Sequence, residues 1–253
     1  MNQNWNSEKY SQGFSFVYKY GADVLNLIEP DGVKNVIDLG CGTGALTRAL
    51  AEKGFNVTGL DASEEMLTQA RANNPGINFI HSDAANFKLG EKVDAIFSNA
   101  VLHWIDKYKQ PLMMKCVYNA LRSGGQFVFE MGGYGCCKLI HEELAKNFAA
   151  HGYKYIMPFY FPTIGEYASL LENAGFTVRF AILFDRPTKL DTDEGMYNWI
   201  KMFVNIPFKS VKESDREIII LDSVNNLRNN ERLYHDGEWF ADYVRLRVRA
   251  VKE

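Results

Sequence analysis

The sequence contains little that could cross-link the chain or anchor it in a membrane. Its 253 residues include four cysteines, and these form no C-x-x-C pair and no Cys/His spacing suited to zinc. No stretch approaches the roughly 18 consecutive apolar residues of a membrane span. We therefore expect a protein with free thiols, without a bound metal or a membrane partner, in a reducing and cytoplasmic location.

Strong charge of either sign is also missing. The formal net charge is −3, and no block of five or six like charges occurs. Because a nucleic-acid binder usually has a basic face or a high pI, we do not expect nucleic acid as a partner. The first twelve residues are polar and have no apolar core, which argues against a signal peptide. The sequence leaves the oligomeric state open.

The first half of the chain does contain a regular alternation of strand and helix patterns. Short apolar runs such as NVIDLG (35–40) alternate with amphipathic stretches at roughly 20–25 residues per unit. This rhythm predicts an α/β, doubly wound, mostly parallel sheet whose ligands bind beyond the carboxyl ends of the strands. Glycine-rich and aromatic segments interrupt it later, so we predict a single domain over 1–253 with helical lid insertions at approximately 132–162 and 186–230.

The C-terminal segment YVRLRVRAV (243–251) alternates apolar residues with arginines. This pattern predicts a half-exposed strand that carries Arg245, Arg247 and Arg249 on its polar side. No arginine cluster is evident in the predicted lid. Five aromatic side chains could line an apolar pocket or pack the lid onto the sheet. They are Tyr153, Tyr155, Phe159, Tyr160 and Phe161.

The segment VIDLGCGTGA (36–45) runs from a strand into a glycine turn and fits two patterns. From Gly40 it fits G-x-G-x-x-A, which is typical of nicotinamide cofactors; as G-x-G-x-G, with Gly42 and Gly44, it suggests S-adenosylmethionine (SAM). Asp38 helps to separate them, since a carboxylate repels a pyrophosphate and attracts the ammonium of a methionine moiety. The alternative is that Asp38 only hydrogen-bonds the turn.

Polar residues follow the next three strands as well. Asp61 ends the second strand about 21 residues after the first loop glycine, where an acid accepts from both ribose hydroxyls of either cofactor. Asp83 and Ala84 follow the third strand, where a carboxylate and a backbone N–H can bind adenine. Asn99 follows the fourth strand, with His103 one turn later.

Together these segments resemble the class I SAM-dependent methyltransferases. The resemblance covers most of the chain and rests on Val36–Gly44, Asp61, Ser82–Ala84, Ser98–Trp104 and Leu121–Gly125. It implies a seven-stranded sheet in the order 3-2-1-4-5-7-6 with the last strand antiparallel. The cofactor-binding residues that it implies, together with those above, are Tyr10, Asp38, Gly40, Gly42, Asp61, Ala62, Met66, Asp83, Ala84 and Asn99. Met66 and Tyr10 could instead serve only in packing.

Two further segments, FSNAVLHWI and RPTKLDTDEGMYNWIKMF, look like small-molecule methyltransferases of the trans-aconitate type. The resemblance therefore implies an enzyme that methylates a small molecule, and we favour O-methylation, with a carboxylate as an acceptor that needs no general base. For other acceptors, His103, Glu130 and His141 are candidate bases, and Glu130 could equally anchor the lid. The alternatives are a SAM-binding protein without catalysis and a nicotinamide-dependent oxidoreductase.

Overall fold

The structure, a computed structural model, describes Gly21 and residues 23–253. The strands of this part are β1 (Asn35–Leu39), β2 (Asn56–Asp61), β3 (Asn78–His81), β4 (Val93–Asn99), β5 (Leu121–Gly132), β6 (Phe176–Lys189), β7 (Tyr234–His235) and β8 (Glu238–Lys252). The helices are α1 (Ala45–Glu52), α2 (Glu64–Asn73), α3 (Gln110–Ala120), α4 (Lys138–Ala150), α5 (Ile164–Asn173), α6 (Gly195–Phe203), α7 (Asn205–Phe208) and α8 (Glu213–Leu227).

Local capping explains where several helices begin. The Ser63 hydroxyl accepts from the Met66 N–H at 3.3 Å and starts α2, as its position before two glutamates predicts. Helix α3 begins at Gln110. Asp106 caps a short 3₁₀ turn at 107–109 by accepting from the Tyr108 N–H, so α3 starts only after that turn.

The strands form one mixed sheet in the order β3-β2-β1-β4-β5-β8-β6, and β8 is antiparallel to both of its neighbours. This is the predicted order once β7 is set aside, and the α/β doubly wound class is confirmed. The predicted number of seven strands was wrong for the described part of the chain. The additional strand is β7, which has two residues and forms a hairpin with the start of β8. Asp236 and Gly237 both have positive φ, 54° and 77°, as a tight hairpin turn requires.

Strands β6 and β8 pair from Phe176 opposite Lys252 to Lys189 opposite Phe240. Residues 186–189, which fall in the second predicted insertion, therefore continue the sheet. The helices that follow in both insertions pack into one apolar cluster, which we call the lid cluster. It is formed by residues of α4, α6 and α8 together with Trp239 and Tyr243. The two insertions thus share a single core.

The order of the sheet brings the carboxyl ends of β1, β2, β4 and β5 to one edge. Strands β2 and β3 lie on one side of β1, and strands β4 and β5 lie on the other side. A crevice therefore opens between the carboxyl ends of β1 and β4. Among the residues that the structure describes, no helix is long and apolar enough to cross a membrane.

Candidate functional site

The glycine turn between β1 and α1 requires glycine for two different reasons. Gly40, Gly42 and Gly44 have φ of 78°, 54° and 83°, a region that disfavours side chains. A Cβ on Gly40 would lie 2.3 Å from the Val101 side chain, so this position is sterically closed. A Cβ on Gly42 would meet no atom of the described residues within 4 Å. The backbone at Gly42 is therefore open to a ligand.

Asp61 ties the end of β2 to this turn. One carboxylate oxygen accepts from the Gly42 N–H at 2.9 Å, and the other accepts from the Ser63 N–H at 2.8 Å. Burial raises the pKa of Asp61, and these backbone donors oppose that shift. Ala62 is held beside it, because its carbonyl oxygen lies 3.0 Å from His81 Nε2. The carboxylate is thus fixed at the edge of the sheet.

Asp38 is a buried carboxyl group behind the turn. It is 2% exposed and accepts a hydrogen bond from the Thr47 hydroxyl at 2.7 Å. Burial raises the pKa of Asp38 to about 7, the Thr47 hydrogen bond lowers it, and the nearby Asp61 charge raises it further. A neutral hydroxyl is a weak counterpart for a buried anion, so this group titrates near neutral pH.

The predicted adenine-side residues lie beyond β3 and at the start of α2. The Asp83 carboxylate accepts from the Ala85 N–H at 2.8 Å and closes a short turn that contains the half-buried Ala84. Met66 is buried at the start of α2, which fits the packing alternative as well as contact with a ring. Tyr10, the remaining predicted contact, lies outside the described residues.

The end of β4 is backbone-strained. Asn99 is its last residue, and Ala100 follows with φ of 59°, which is uncommon for a residue with a side chain. The Ala100 N–H donates to the Glu130 carbonyl oxygen at 2.8 Å, which joins β4 to β5 at this point. Such outliers concentrate at functional sites, and this one stands at the predicted crevice.

His103, predicted as a catalytic base, is buried and has its accepting nitrogen occupied. Its Nδ1 accepts from the Gly132 N–H at 3.3 Å, which leaves the ring proton on Nε2 of the neutral ring. Burial and then the Arg245 cation hold the pKa of His103 well below its ordinary value. His103 is therefore a neutral donor, and this geometry does not favour a role as a base.

Glu130, the other predicted base, is 2% exposed and bound by two arginines. Arg186 donates to its two oxygens at 2.5 and 3.0 Å, and Arg247 Nε donates to it at 2.8 Å. With both oxygens occupied by cations, Glu130 is not free to take a substrate proton. The geometry favours the alternative interpretation, in which Glu130 anchors the strands that lead to the lid.

Arg245 is a third guanidinium beside this pair. It is 7% exposed, lies 4.5 Å from the centre of the Tyr243 ring, and its Nε is 3.9 Å from Glu130. That Nε finds no hydrogen-bond partner among the described residues. Among the described residues, three guanidinium groups thus surround the Glu130 carboxylate.

The sequence did not predict this arginine cluster. The arginines of β8 were expected on the polar side of a half-exposed strand, and for Arg245 that expectation was wrong. The reason is that this end of β8 lies under the lid: Arg245 packs on the ring of Tyr243, which belongs to the lid cluster. Arg186 comes from β6, about 60 residues earlier in the chain. An alternating pattern within one strand does not indicate that Arg186 and Arg247 bind the same carboxylate.

The predicted aromatic wall divides into two parts. Phe159 and Phe161 stack with ring centres 5.2 Å apart and lie 5.9 and 5.7 Å from the His103 ring. Tyr153 instead donates to Asp215 of α8, and Tyr160 lies 6.3 Å from Tyr167 of α5. We use the name aromatic cluster for His103, Trp104, His141, Tyr155, Phe159, Phe161 and Trp199.

This edge of the sheet lacks the features of a metal centre. Within Gly21 and 23–253, no three His, Cys, Asp or Glu side chains converge as metal ligands would. What converges is a glycine turn with an open backbone, two carboxyl groups, an arginine cluster and half-exposed aromatic rings. The two carboxyl groups fit a ligand with an ammonium group and ribose hydroxyls. Asp38 can accept hydrogen bonds from the ammonium group, and Asp61 can accept them from the hydroxyls.

Comparison with known proteins identifies the same region. A family model described as a methyltransferase domain matches residues 36–125. An uncharacterized methyltransferase of Schizosaccharomyces pombe is 32% identical over 262 residues, which cover 98% of each chain. A trans-aconitate 2-methyltransferase of Deinococcus radiodurans is 28% identical over 232 residues, 81% of this chain and 83% of that one.

Among solved structures, a putative methyltransferase from Bacillus halodurans superposes with a TM-score of 0.63 at 15% identity. The match covers 92% of this chain and 99% of the other. At this identity the likeness concerns the fold. The relatives in sequence support the SAM interpretation of the glycine turn over the nicotinamide one.

Proposed function

Because this chain belongs to the class I SAM-dependent methyltransferases, we propose that it methylates a carboxylate oxygen of a small-molecule acceptor. Its cofactor is S-adenosylmethionine, which supplies a methyl group on a sulfonium. An acceptor oxygen takes that methyl group in line, and the electrons of the broken C–S bond stay with sulfur. The observation that carries the choice of a carboxylate is Arg245, a buried cation whose Nε has no hydrogen-bond partner among the described residues.

The chain's own residues supply the cofactor site in this proposal. Asp38 holds the ammonium of the methionine part, and the open backbone at Gly42 lies along it, with Gly40 closing the turn behind. Asp61 accepts from ribose hydroxyls and Ala62 stands beside it. The remaining proposed contacts are Met66, Asp83, Ala84, Asn99 and Tyr10.

The binding of SAM should depend on pH through Asp38. The ionised carboxylate is the form that attracts an ammonium, and its pKa is about 7 in the free protein. Since each unit below the pKa removes most of that form, the SAM association constant should fall by more than about tenfold from pH 7.5 to 5.5. Calorimetric titration across this range measures the effect.

Two variants assign the pH effect to this group. Asp38→Asn should bind SAM weakly at pH 7.5 and with a nearly flat profile, while Thr47→Val should move the midpoint to higher pH because it removes the hydrogen bond that lowers the pKa. A full pH effect in Asp38→Asn would assign the titration to another residue. The stability of the ligand-free protein should depend on pH in the opposite direction. Because the pKa of Asp38 is higher in the folded than in the unfolded protein, the free energy of unfolding should decrease as pH rises from about 4 to 7.

A carboxylate acceptor also agrees with the state of the candidate bases. Ionised carboxylates are nucleophilic without losing a proton, whereas a phenol, alcohol or amine often needs a base. His103 has its Nδ1 occupied, and Glu130 is bound by Arg186 and Arg247. His103 and Glu130 are therefore poorly placed to activate a neutral nucleophile, and burial lowers the pKa of His141, the third candidate, to about 3, which makes it a weak base.

The acceptor class can be tested with matched compounds. Each acid of a set of aryl- and alkyl-carboxylic acids is offered beside its primary alcohol and its amide, and release of S-adenosylhomocysteine is measured. We expect turnover with acids only. Turnover of an alcohol or amide, with none for the matching acid, would contradict the proposal.

A further inference from the structure

His141 lies in the aromatic cluster with one ring nitrogen unused. Its side chain is 6% exposed, and its Nδ1 is 2.6 Å from the Tyr155 hydroxyl oxygen. Its Nε2 is buried and has no hydrogen-bond partner among the residues that the structure describes. A buried polar atom without a partner is costly, and native structures rarely keep one without a reason.

His141 and His103 share two ring neighbours. The His141 ring centre lies 5.4 Å from Phe159 and 6.3 Å from Phe161, and both phenylalanines also contact His103. On the other side, Trp199 is 6.1 Å from His141 and donates to the Tyr243 hydroxyl at 2.6 Å. Tyr243 in turn stacks with Arg245. Two buried nitrogens of this region thus have no hydrogen-bond partner in the described part of the chain: His141 Nε2 within the aromatic cluster and Arg245 Nε beside Tyr243.

Parts of the aromatic cluster remain accessible. Four of its side chains are half-buried, although they pack against the lid cluster. They are Trp104, Tyr155, Phe159 and Phe161. Half-exposed aromatic rings with a few inward polar atoms are typical of small-molecule sites. Such a lining accommodates an apolar or aromatic body.

The two ends of this cluster differ in charge. Arg245 is a cation and suits an anionic group. Burial lowers the pKa of His141 to about 3, so its ring is neutral at physiological pH. Among the ring partners and hydrogen-bond partner of His141 named above, none is a cation. A second carboxylate near His141 would have to be desolvated without a counter-charge.

We propose that His141 is a specificity-determining residue that hydrogen-bonds an uncharged polar group, such as a hydroxyl, on an acceptor whose carboxylate lies at Arg245. This inference rests on the proposed function and narrows its substrate class. The acceptor is an acid with one carboxylate, an apolar or aromatic body and a distal neutral polar group. Compact di- and tricarboxylates fit this arrangement poorly.

The test uses arylalkanoic acids of three chain lengths, namely phenylacetate, 3-phenylpropanoate and 4-phenylbutanoate. Each is offered without a ring substituent, with a para-hydroxyl and with a para-carboxylate, and kcat/KM is measured on the full chain at saturating SAM. For at least one chain length, we expect the hydroxylated acid to be preferred over the plain acid by about tenfold or more, and the dicarboxylate to be the poorest.

Variants assign the preference to His141. His141→Leu should reduce the ratio of hydroxylated to plain acid to near one, whereas His141→Gln, which keeps a polar end, should retain part of the ratio. Calorimetric SAM affinity serves as the check on folding for both variants. If His141→Leu does not fold, the His141→Gln ratio decides.

Failure of this inference differs from failure of the proposed function. Acids that are methylated without any preference for a para-hydroxyl, or with the same preference in the folded His141 variants, would overturn the role of His141 alone. Preference for the dicarboxylates would also overturn it. If the wild type methylates none of these acids but does methylate alcohols or amines, the proposed carboxylate acceptor falls as well.

Discussion

Arg245→Met is expected to lower kcat/KM for carboxylate acceptors by on the order of a hundredfold, with SAM affinity unchanged. A charge-assisted hydrogen bond in a buried site contributes about 1.5–3 kcal/mol, and 2.7 kcal/mol corresponds to about a hundredfold. The methionine fills a similar volume. Glu130 keeps its bonds to Arg186 and Arg247, so the change leaves no unpaired carboxylate behind. Steady-state kinetics and SAM calorimetry measure the two quantities.

Arg249→Met is the matched control for that variant. Arg249 lies on the same strand and the same face, four residues away, and its ion pair is with the exposed Glu29. We expect Arg249→Met to keep near wild-type kinetics, since an ion pair with an exposed partner such as Glu29 contributes little. Arg245→Lys keeps the charge and loses the planar fork, so its activity should be intermediate. Equal activity of Arg245→Met and wild type would remove Arg245 from the acceptor site.

Asp61→Ala is expected to weaken SAM binding by more than about tenfold, or about 1.4 kcal/mol. Two losses combine in this variant. The carboxylate no longer accepts from ribose hydroxyls, and the Gly42 and Ser63 N–H groups lose the acceptor that fixes the glycine turn. Calorimetric titration with SAM and with S-adenosylhomocysteine measures both ligands.

Asp94→Ala separates loss of a ligand contact from loss of a structural tie. Asp94 also accepts from two backbone N–H groups, those of Lys34 and Asn35, at 2.7 and 2.8 Å, but it does so at the amino-terminal side of the strands. The two variants should therefore lose comparable stability to heat, while only Asp61→Ala loses SAM affinity. Unchanged affinity in Asp61→Ala would contradict the proposed cofactor placement.

The sheet and its ligand-binding edge were predictable because their signals are local. Each strand of the first half is a short apolar run, and the residue after each strand is adjacent in sequence to the pattern that defines the strand. The sequence alone therefore assigns Asp38, Asp61, Asp83 and Asn99 to strand ends, and the strand order follows from the family resemblance.

The acceptor side was not predictable because its contacts are not local. Glu130 on β5 meets Arg186 on β6 and Arg247 on β8, which are 56 and 117 residues away. Neither a strand pattern nor a motif indicates which residues of distant strands contact each other. The interpretation of Glu130 as a base depended on its position at a strand end, and the partners that occupy its oxygens became visible only in the folded chain.

The most direct test of the account is to determine the bond that carries the transferred methyl group. The protein is incubated with methyl-tritiated SAM and the arylalkanoic acids, and the products are treated with mild alkali. Methyl esters release tritiated methanol, so we predict alkali-labile label that is formed by the wild type and is strongly reduced in Arg245→Met. Alkali-stable label would place the methyl group on nitrogen, carbon or an ether oxygen. That result, or SAM binding without transfer to any acceptor, would contradict the carboxylate methyltransferase described above.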